Sequence, residues 1–288
     1  MMDNTITVVD VIILSKTNTQ EIFEMNSNAI NSLLVSENEQ RFKFNIILVE
    51  SCKTADYVYP KTKVIKPEEP FGYNRYMMIG YKYAVGDFIA FCNNDLIFEK
   101  GWFSEMYKIF NQNKSVLSCC PYHQMLAMRS INTNEVSFEL GYIFDYHIIG
   151  HCIVVKKELM GIINPLLDST FDFYCANLDY CFTLRKYNIK HAVVFKSKVN
   201  HIGGVSTVKV ERKNYLFELD KSGIKYPKYF KTRIDTIHNK IALDGHLKFW
   251  QKWGGMYSLA AKKYILQIFP FLQFRFFTKI LYSIKLPF

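Results

Sequence analysis

"FIAFCNNDLIFEKGWF", residues 88–103, runs from a wholly apolar segment straight into Asn93, Asn94 and Asp95, then back into apolar residues ending on an aromatic pair. Asn and Asp cluster in turns because their short side chains bond nearby backbone. A carboxylate at the tip of a buried strand also marks where an α/β sheet meets its ligands. The triplet alone does not choose between these two readings, so its surroundings decide.

Upstream, "TVVDVIIL" (7–14) and "FNIILVE" (44–50) are β-branched runs of the same kind as "DFIAFCNND" (87–95). Runs without alternation suit strands covered on both faces, as in a parallel sheet between helices. Between them the pattern predicts helices over Gln20 to Leu34 and Tyr73 to Ala84, the second closed by Gly86 as a C-terminal cap. Strand, helix, strand, helix, strand implies a doubly wound α/β topology, with Ser15, Glu50 and Asp95 all at the ligand end. Downstream a helix is expected over Trp102 to Asn111, strands near 115–120, 136–143 and 152–155, and a helix then a strand within 173–195. A polar loop, "NHIGGVST" (200–207), follows. No internal repeat or low-complexity linker interrupts the order.

The chain has 288 residues, 49% hydrophobic and 22% charged, enough for a substantial core. Its net charge of +10 is uneven. From Lys209 onward there are 16 Lys and Arg against 5 Asp and Glu, or +11, which leaves −1 for residues 1–208. Domains are therefore expected at 1–208 and 209–288, the second basic, aromatic-rich and mainly helical, with Pro270 splitting any helix there. The seven cysteines form no paired CxxC set, which fits a reduced, cytosolic compartment. The short apolar run Val11 to Leu14 has no basic leader, so no signal peptide is expected. Nothing approaches the roughly 20 apolar residues that cross a bilayer.

Six segments in order resemble the inverting glycosyltransferases of family 2, with the GT-A fold. They are "VDVIIL", "NIILVESCKTAD", "PFGYNRYMMIGYKYAVGDFIAFCNND", "GHCIVVKKELM", "NLDYCFTLRKYNIK" and "NHIGGVST", together spanning about Val9 to Ser206. The resemblance implies a Rossmann-like, mixed and mostly parallel sheet flanked by helices. It implies a nucleotide-diphosphate sugar donor, a UDP-sugar being favoured, and Mn²⁺ or Mg²⁺. On this carry-over Glu50 faces the base or ribose, Ser15 contributes at the first strand tip, and Asn74, Arg75 and Asn93 lie near the nucleotide. Asn94 sits by ribose or phosphate, and Asp95 and His201 ligate the metal. "QKWGG" (251–255) resembles a short motif after the catalytic core of some such transferases, placing Lys252 over the diphosphate; a helix ending at glycine explains it equally.

Two departures stand out. Only Asp95 of the triplet is acidic. The family's usual base position, aligned by Asp179, falls on Asn177, which accepts no proton. Asp179 is then the first substitute as catalytic base and Asp172 the second. The expected activity is metal-dependent inverting sugar transfer to a glycan or lipid-linked acceptor in surface polysaccharide synthesis, cytoplasmic or peripheral on the inner membrane face. A non-catalytic GT-A subunit binding sugar nucleotide or glycan is the alternative. A nucleotidyltransferase would need a Gly-rich loop after the first strand, which "LSKTNTQ" lacks. The aromatic and basic tail suits a helix lying on an anionic leaflet, and equally packing against the catalytic domain or a second subunit in a homo-oligomer. Nucleic acid is not an expected partner.

Overall fold

The computed structural model describes residues 5–122, 136–203, 240–254 and 256–284. Continuous apolar runs form the strands as expected: β1 (Thr7–Ser15), β2 (Phe42–Glu50) and β4 (Phe88–Cys92), with a short β3 (Thr62–Ile65) at the edge. They pair in parallel in the order β3-β2-β1-β4, which brings Ser15 opposite Glu50 at the carboxyl end. Both faces are covered. One buries Val11, Ile13, Leu48 and Ala90 under Trp102 and Phe103; the other buries Ile12, Val49 and Phe91 under Tyr76 and Met77.

Beyond β4 the sheet changes direction. β8 (Cys152–Lys156) runs antiparallel to β4 and to β6 (Val116–Tyr122), and β6 is parallel to β9 (Lys190–His201). The first half of β9 also pairs with β7 (Phe138–Leu140), while its tail pairs antiparallel with β5 (Leu96–Phe98). Among the described residues nine strands thus make one mixed sheet flanked by helices. The helices are α1 (Gln20–Leu34), α2 (Tyr73–Tyr81), α3 (Trp102–Gln112), α4 (Lys157–Ile162), α5 (Ala176–Lys186), α6 (Lys240–Trp253), α7 (Met256–Ile268) and α8 (Arg275–Ser283). A 3₁₀ turn beginning at Pro270 separates α7 from α8, where the missing N–H stops helix continuation.

Three local expectations are corrected. The strand before the Asn-Asn-Asp triplet ends at Cys92, so Asp95 lies in the turn leading into β5 rather than at a strand terminus. Helix α2 ends at Tyr81, before Gly86, which is no cap. Gly86 instead lies against β1, where a Cβ would stand 2.6 Å from Val8 O, and its N–H donates to the buried Asp10 carboxylate. The strand expected over 136–143 is only Phe138–Leu140, because the chain turns there through Ile143–Ile148. The 208/209 boundary and residues 204–207 of the polar loop lie outside the described residues.

Candidate functional site

The turn between β4 and β5 and the end of β9 build one site. The β5–β9 ladder pairs Leu96 with His201, and Ile202 N–H donates to Asp95 O at 2.9 Å. That register brings His201 Nε2 to 3.0 Å from Asp95 Oδ2. Asp95 is 6% exposed, and its Oδ1 is buried with no hydrogen-bond partner among the described residues. An unmet buried carboxylate oxygen costs free energy unless something outside the chain satisfies it. His151, opposite Asn93 where β8 begins, stacks on His201 with ring centroids 4.7 Å apart and planes 9° from parallel.

Behind the triplet lies a polar network centred on Asn26, a buried amide on the core face of α1. Its Nδ2 approaches Ser15 Oγ, Thr17 Oγ1 and Tyr59 Oη at 2.8, 2.9 and 2.8 Å, and its Oδ1 accepts from Asn94 Nδ2 at 2.8 Å. Glu50 completes it, accepting from Thr17 N–H at 3.0 Å and from Cys52 N–H at 2.6 Å. Ser15, Glu50 and Asn94, three expected donor-binding residues, are therefore fixed by one another's neighbours. Asn26 and Thr17 were not anticipated; the only signal was a lone amide among Met25, Ala29, Ile30 and Leu33 on an apolar helix face.

The opposite wall joins the start of α2 to the loop before α5. Tyr73 N–H donates to Asp172 O, Asn74 Nδ2 to Asp168 O at 2.9 Å, and Arg75 bonds Pro70 O at 2.8 Å with Asp172 Oδ1 at 3.4 Å. The Tyr73 hydroxyl lies 3.1 Å from Asn93 Oδ1 and 3.0 Å from Gly150 O, linking this wall to the triplet. Burial keeps that phenol protonated by raising its pKa. Asn177 packs against Gly150 so closely that a Cβ on the glycine would meet its amide at 1.6 Å. The amide standing at the expected base position therefore lies against Gly150, whose carbonyl oxygen is 3.0 Å from the Tyr73 hydroxyl.

Asp179 sits in the first turn of α5, 1% exposed. Helix α6 covers it: Trp253 Nε1–H donates to Oδ1 at 2.6 Å, and Lys252 Nζ approaches Oδ1 at 2.8 Å and Asp168 Oδ2 at 2.7 Å. Burial pushes the Asp179 carboxyl up more than Lys252 and Trp253 pull it down. At Asp168 burial also pushes upward, but the bonds from Lys252 and Thr170 outweigh it and the net shift is downward. Asp172 is more open and pairs with Lys248 at 2.9 Å. Lys252 thus bridges two carboxylates, and α6 ends at Trp253 just before Gly254 with φ 80°, the helix end at glycine expected for "QKWGG".

Among the described residues, no group of three or more His, Cys, Asp or Glu is arranged to hold a metal ion alone. Asp95 and His201 nonetheless suit a cation whose remaining ligands come from a bound diphosphate. Carboxylate plus neutral imidazole is a reasonable donor set for Mn²⁺, and the unmet Asp95 Oδ1 is the kind of oxygen a cation satisfies.

Residues 27–157 match the family model for Glycosyl transferase family 2. The crystal structure of GalNAc-T7 with UDP, GalNAc and Mn2+ superposes with a TM-score of 0.57 at 12% identity, over 92% of this chain and 53% of that one. That of S. aureus TarS 1-349 gives 0.53 at 14% identity, over 88% and 75% respectively. This chain spans about half the length of the first. No curated protein matches it by sequence. At these identities the structural likeness shows architecture, the GT-A fold, and the segment 27–157, a little under half of the chain, is similar to glycosyl transferase family 2.

Proposed function

We propose that this chain is a metal-dependent, inverting glycosyltransferase that moves a sugar from a nucleotide-diphosphate donor, with a UDP-sugar favoured, to a glycan or lipid-linked acceptor in surface polysaccharide synthesis. The observation that carries the reading is the Asp95–His201 contact of 3.0 Å beside an unmet carboxylate oxygen, at the ligand end of the sheet. A Mn²⁺ or Mg²⁺ ion bound there would neutralise charge growing on the leaving diphosphate. The chain's own part is to hold the donor. The Asn26 network fixes Asn94 and the tips of β1 and β2 before substrate arrives, so less ordering remains to be done on binding.

The acceptor hydroxyl must lose a proton as its oxygen attacks the anomeric carbon. Asp179 is the first candidate to receive it, since its burial-raised pKa favours proton uptake, and Asp172, more open to an incoming hydroxyl, is the second. The non-catalytic alternative is favoured by one observation, Asn177 beside Gly150 where a carboxylate is expected.

Calorimetry with a panel of nucleotide sugars, with and without Mn²⁺, followed by transfer assays on the donor that binds, tests both. Turnover that Asp95→Ala abolishes supports the enzyme. Mn²⁺-dependent binding without transfer or donor hydrolysis favours the binding subunit, and absence of nucleotide-sugar binding overturns both.

A further inference from the structure

The C-terminal helices leave an apolar face uncovered. Helix α8 packs inward on α5 through Thr278 and Tyr282, and Tyr282 joins Phe182 and Trp253 in a small core. Its other positions point outward. Phe276, Phe277 and Ile280 on α8 and Ile284 at its C-cap are 42–68% exposed, and Phe271 and Phe274 just before it are 61% and 70% exposed. Exposed aromatics gathered this densely mark a surface that meets something apolar. Arg275 and Lys279 stand among them, also exposed, and no acidic residue lies between Gly245 and Ile284. Among the described residues no helix is long and apolar enough to cross a membrane.

We infer that this face docks on an anionic lipid bilayer, the phenylalanines entering the headgroup and acyl boundary while Arg275 and Lys279 meet lipid phosphates. Charge decides the occupant. A two-fold contact between copies of this chain would press Arg275 and Lys279 against a matching patch with no carboxylate to pair them, in a segment carrying +11 from Lys209 onward. An anionic leaflet answers those cations, and its boundary accepts aromatic rings without leaving the charges unpaired. The orientation rests on the transferase reading. Tyr187, whose ring carries Lys279 Nζ at 4.6 Å from its centroid, lies eight residues beyond Asp179 along α5 and its C-cap. At about 1.5 Å per residue, Asp179 lies on the order of 12 Å along the helix axis from Tyr187, the α5 contact of Lys279.

The test is co-sedimentation of the full chain with vesicles of phosphatidylcholine alone and with about one third phosphatidylglycerol, together with light scattering of the free protein. Binding is expected only to the anionic vesicles, falling at least roughly tenfold in a Phe274→Ser, Phe276→Ser variant and again in Arg275→Glu, Lys279→Glu. These side chains are exposed, so unchanged circular dichroism shows that the variants fold. Equal recovery with both vesicles, binding undiminished in the phenylalanine variant, or a dimer which that variant dissolves would each overturn the inference. No sugar nucleotide is present, so such a failure leaves the transferase reading intact, whereas loss of donor binding leaves the docking result standing.

Discussion

Removing the Asp95 carboxylate should have opposite consequences for the free protein and for the protein with cation. In the free protein, Asp95→Ala loses one hydrogen bond to His201, about 0.5–1.5 kcal/mol, and abolishes a buried oxygen left without a partner, a cost of about 1–3 kcal/mol. The two changes nearly cancel. The variant in EDTA should therefore unfold within about 1 kcal/mol of the native protein or be slightly more stable. With UDP and Mn²⁺ at about 100 times the dissociation constant, the native protein should gain about 2.7 kcal/mol, or roughly 4–5 °C in Tm for a chain of this size. Asp95→Ala should gain almost none of it. His201→Ala separates the contributions: it leaves both Asp95 oxygens unmet, so it should lose stability in EDTA and lose the Mn²⁺ response as well. Differential scanning calorimetry of the three proteins, with and without the ligands, reads all of this. An equal Mn²⁺ shift in the native protein and Asp95→Ala would refute the assignment, as would no shift in the native protein.

The Asn26 network should be costly to cut: Asn26→Ala strips a partner from Ser15, Thr17, Tyr59 and Asn94 at once, and urea unfolding should show a loss of about 2–4 kcal/mol. Replacing Lys252 by Ala leaves Asp168 and Asp179 facing each other, which should destabilise the protein by about 1–3 kcal/mol, discounted because the lysine is one-third exposed. Adding Asp179→Asn should recover part of that loss, and a double-mutant cycle showing strict additivity would contradict the bridge. His191 should make the fold acid-sensitive. Its Nε2–H donates to His147 O at 2.8 Å and its Nδ1 accepts from Ser118 Oγ at 2.7 Å, while burial holds its pKa down to about 3. A lowered folded-state pKa gives stability that is intact above the unfolded value of 6.5 and is lost as pH falls toward 3. Between pH 7.5 and 4.5 the loss should be about 2–3 kcal/mol. His191→Gln should flatten that part of the pH–stability curve.

Much of the sheet was legible in the sequence because its strands are continuous apolar runs, and β1, α1 and α3 fall within a residue of where the pattern puts them. Chain ends of elements were less so. Whether Gly86 capped a helix or met a strand depended on how closely α2 and β1 approach, which no local pattern encodes. The meeting of Asp95 with His201 followed from family resemblance rather than spacing, since more than a hundred residues separate them. The Lys252 bridge was hidden for a different reason. A lysine on an amphipathic helix looks solvated until the helix is docked, and only docking shows that Asp168 and Asp179 wait beneath it. Asn26 gave no local signal of its role because its four partners come from β1, the loops after β1 and β2, and the turn beyond β4.

Strand β9 serves β6 and β7 along its first half and β5 along its tail. Because successive side chains alternate between faces, adding or deleting a single residue between Val194 and His201 would swing the imidazole to the far face while leaving the ladder free to re-form. Length changes in this segment are thus subject to a parity rule. Steps of two preserve the geometry, and odd steps survive only where a bulge absorbs them, as the irregular pairing between Pro121 and Tyr122 already does.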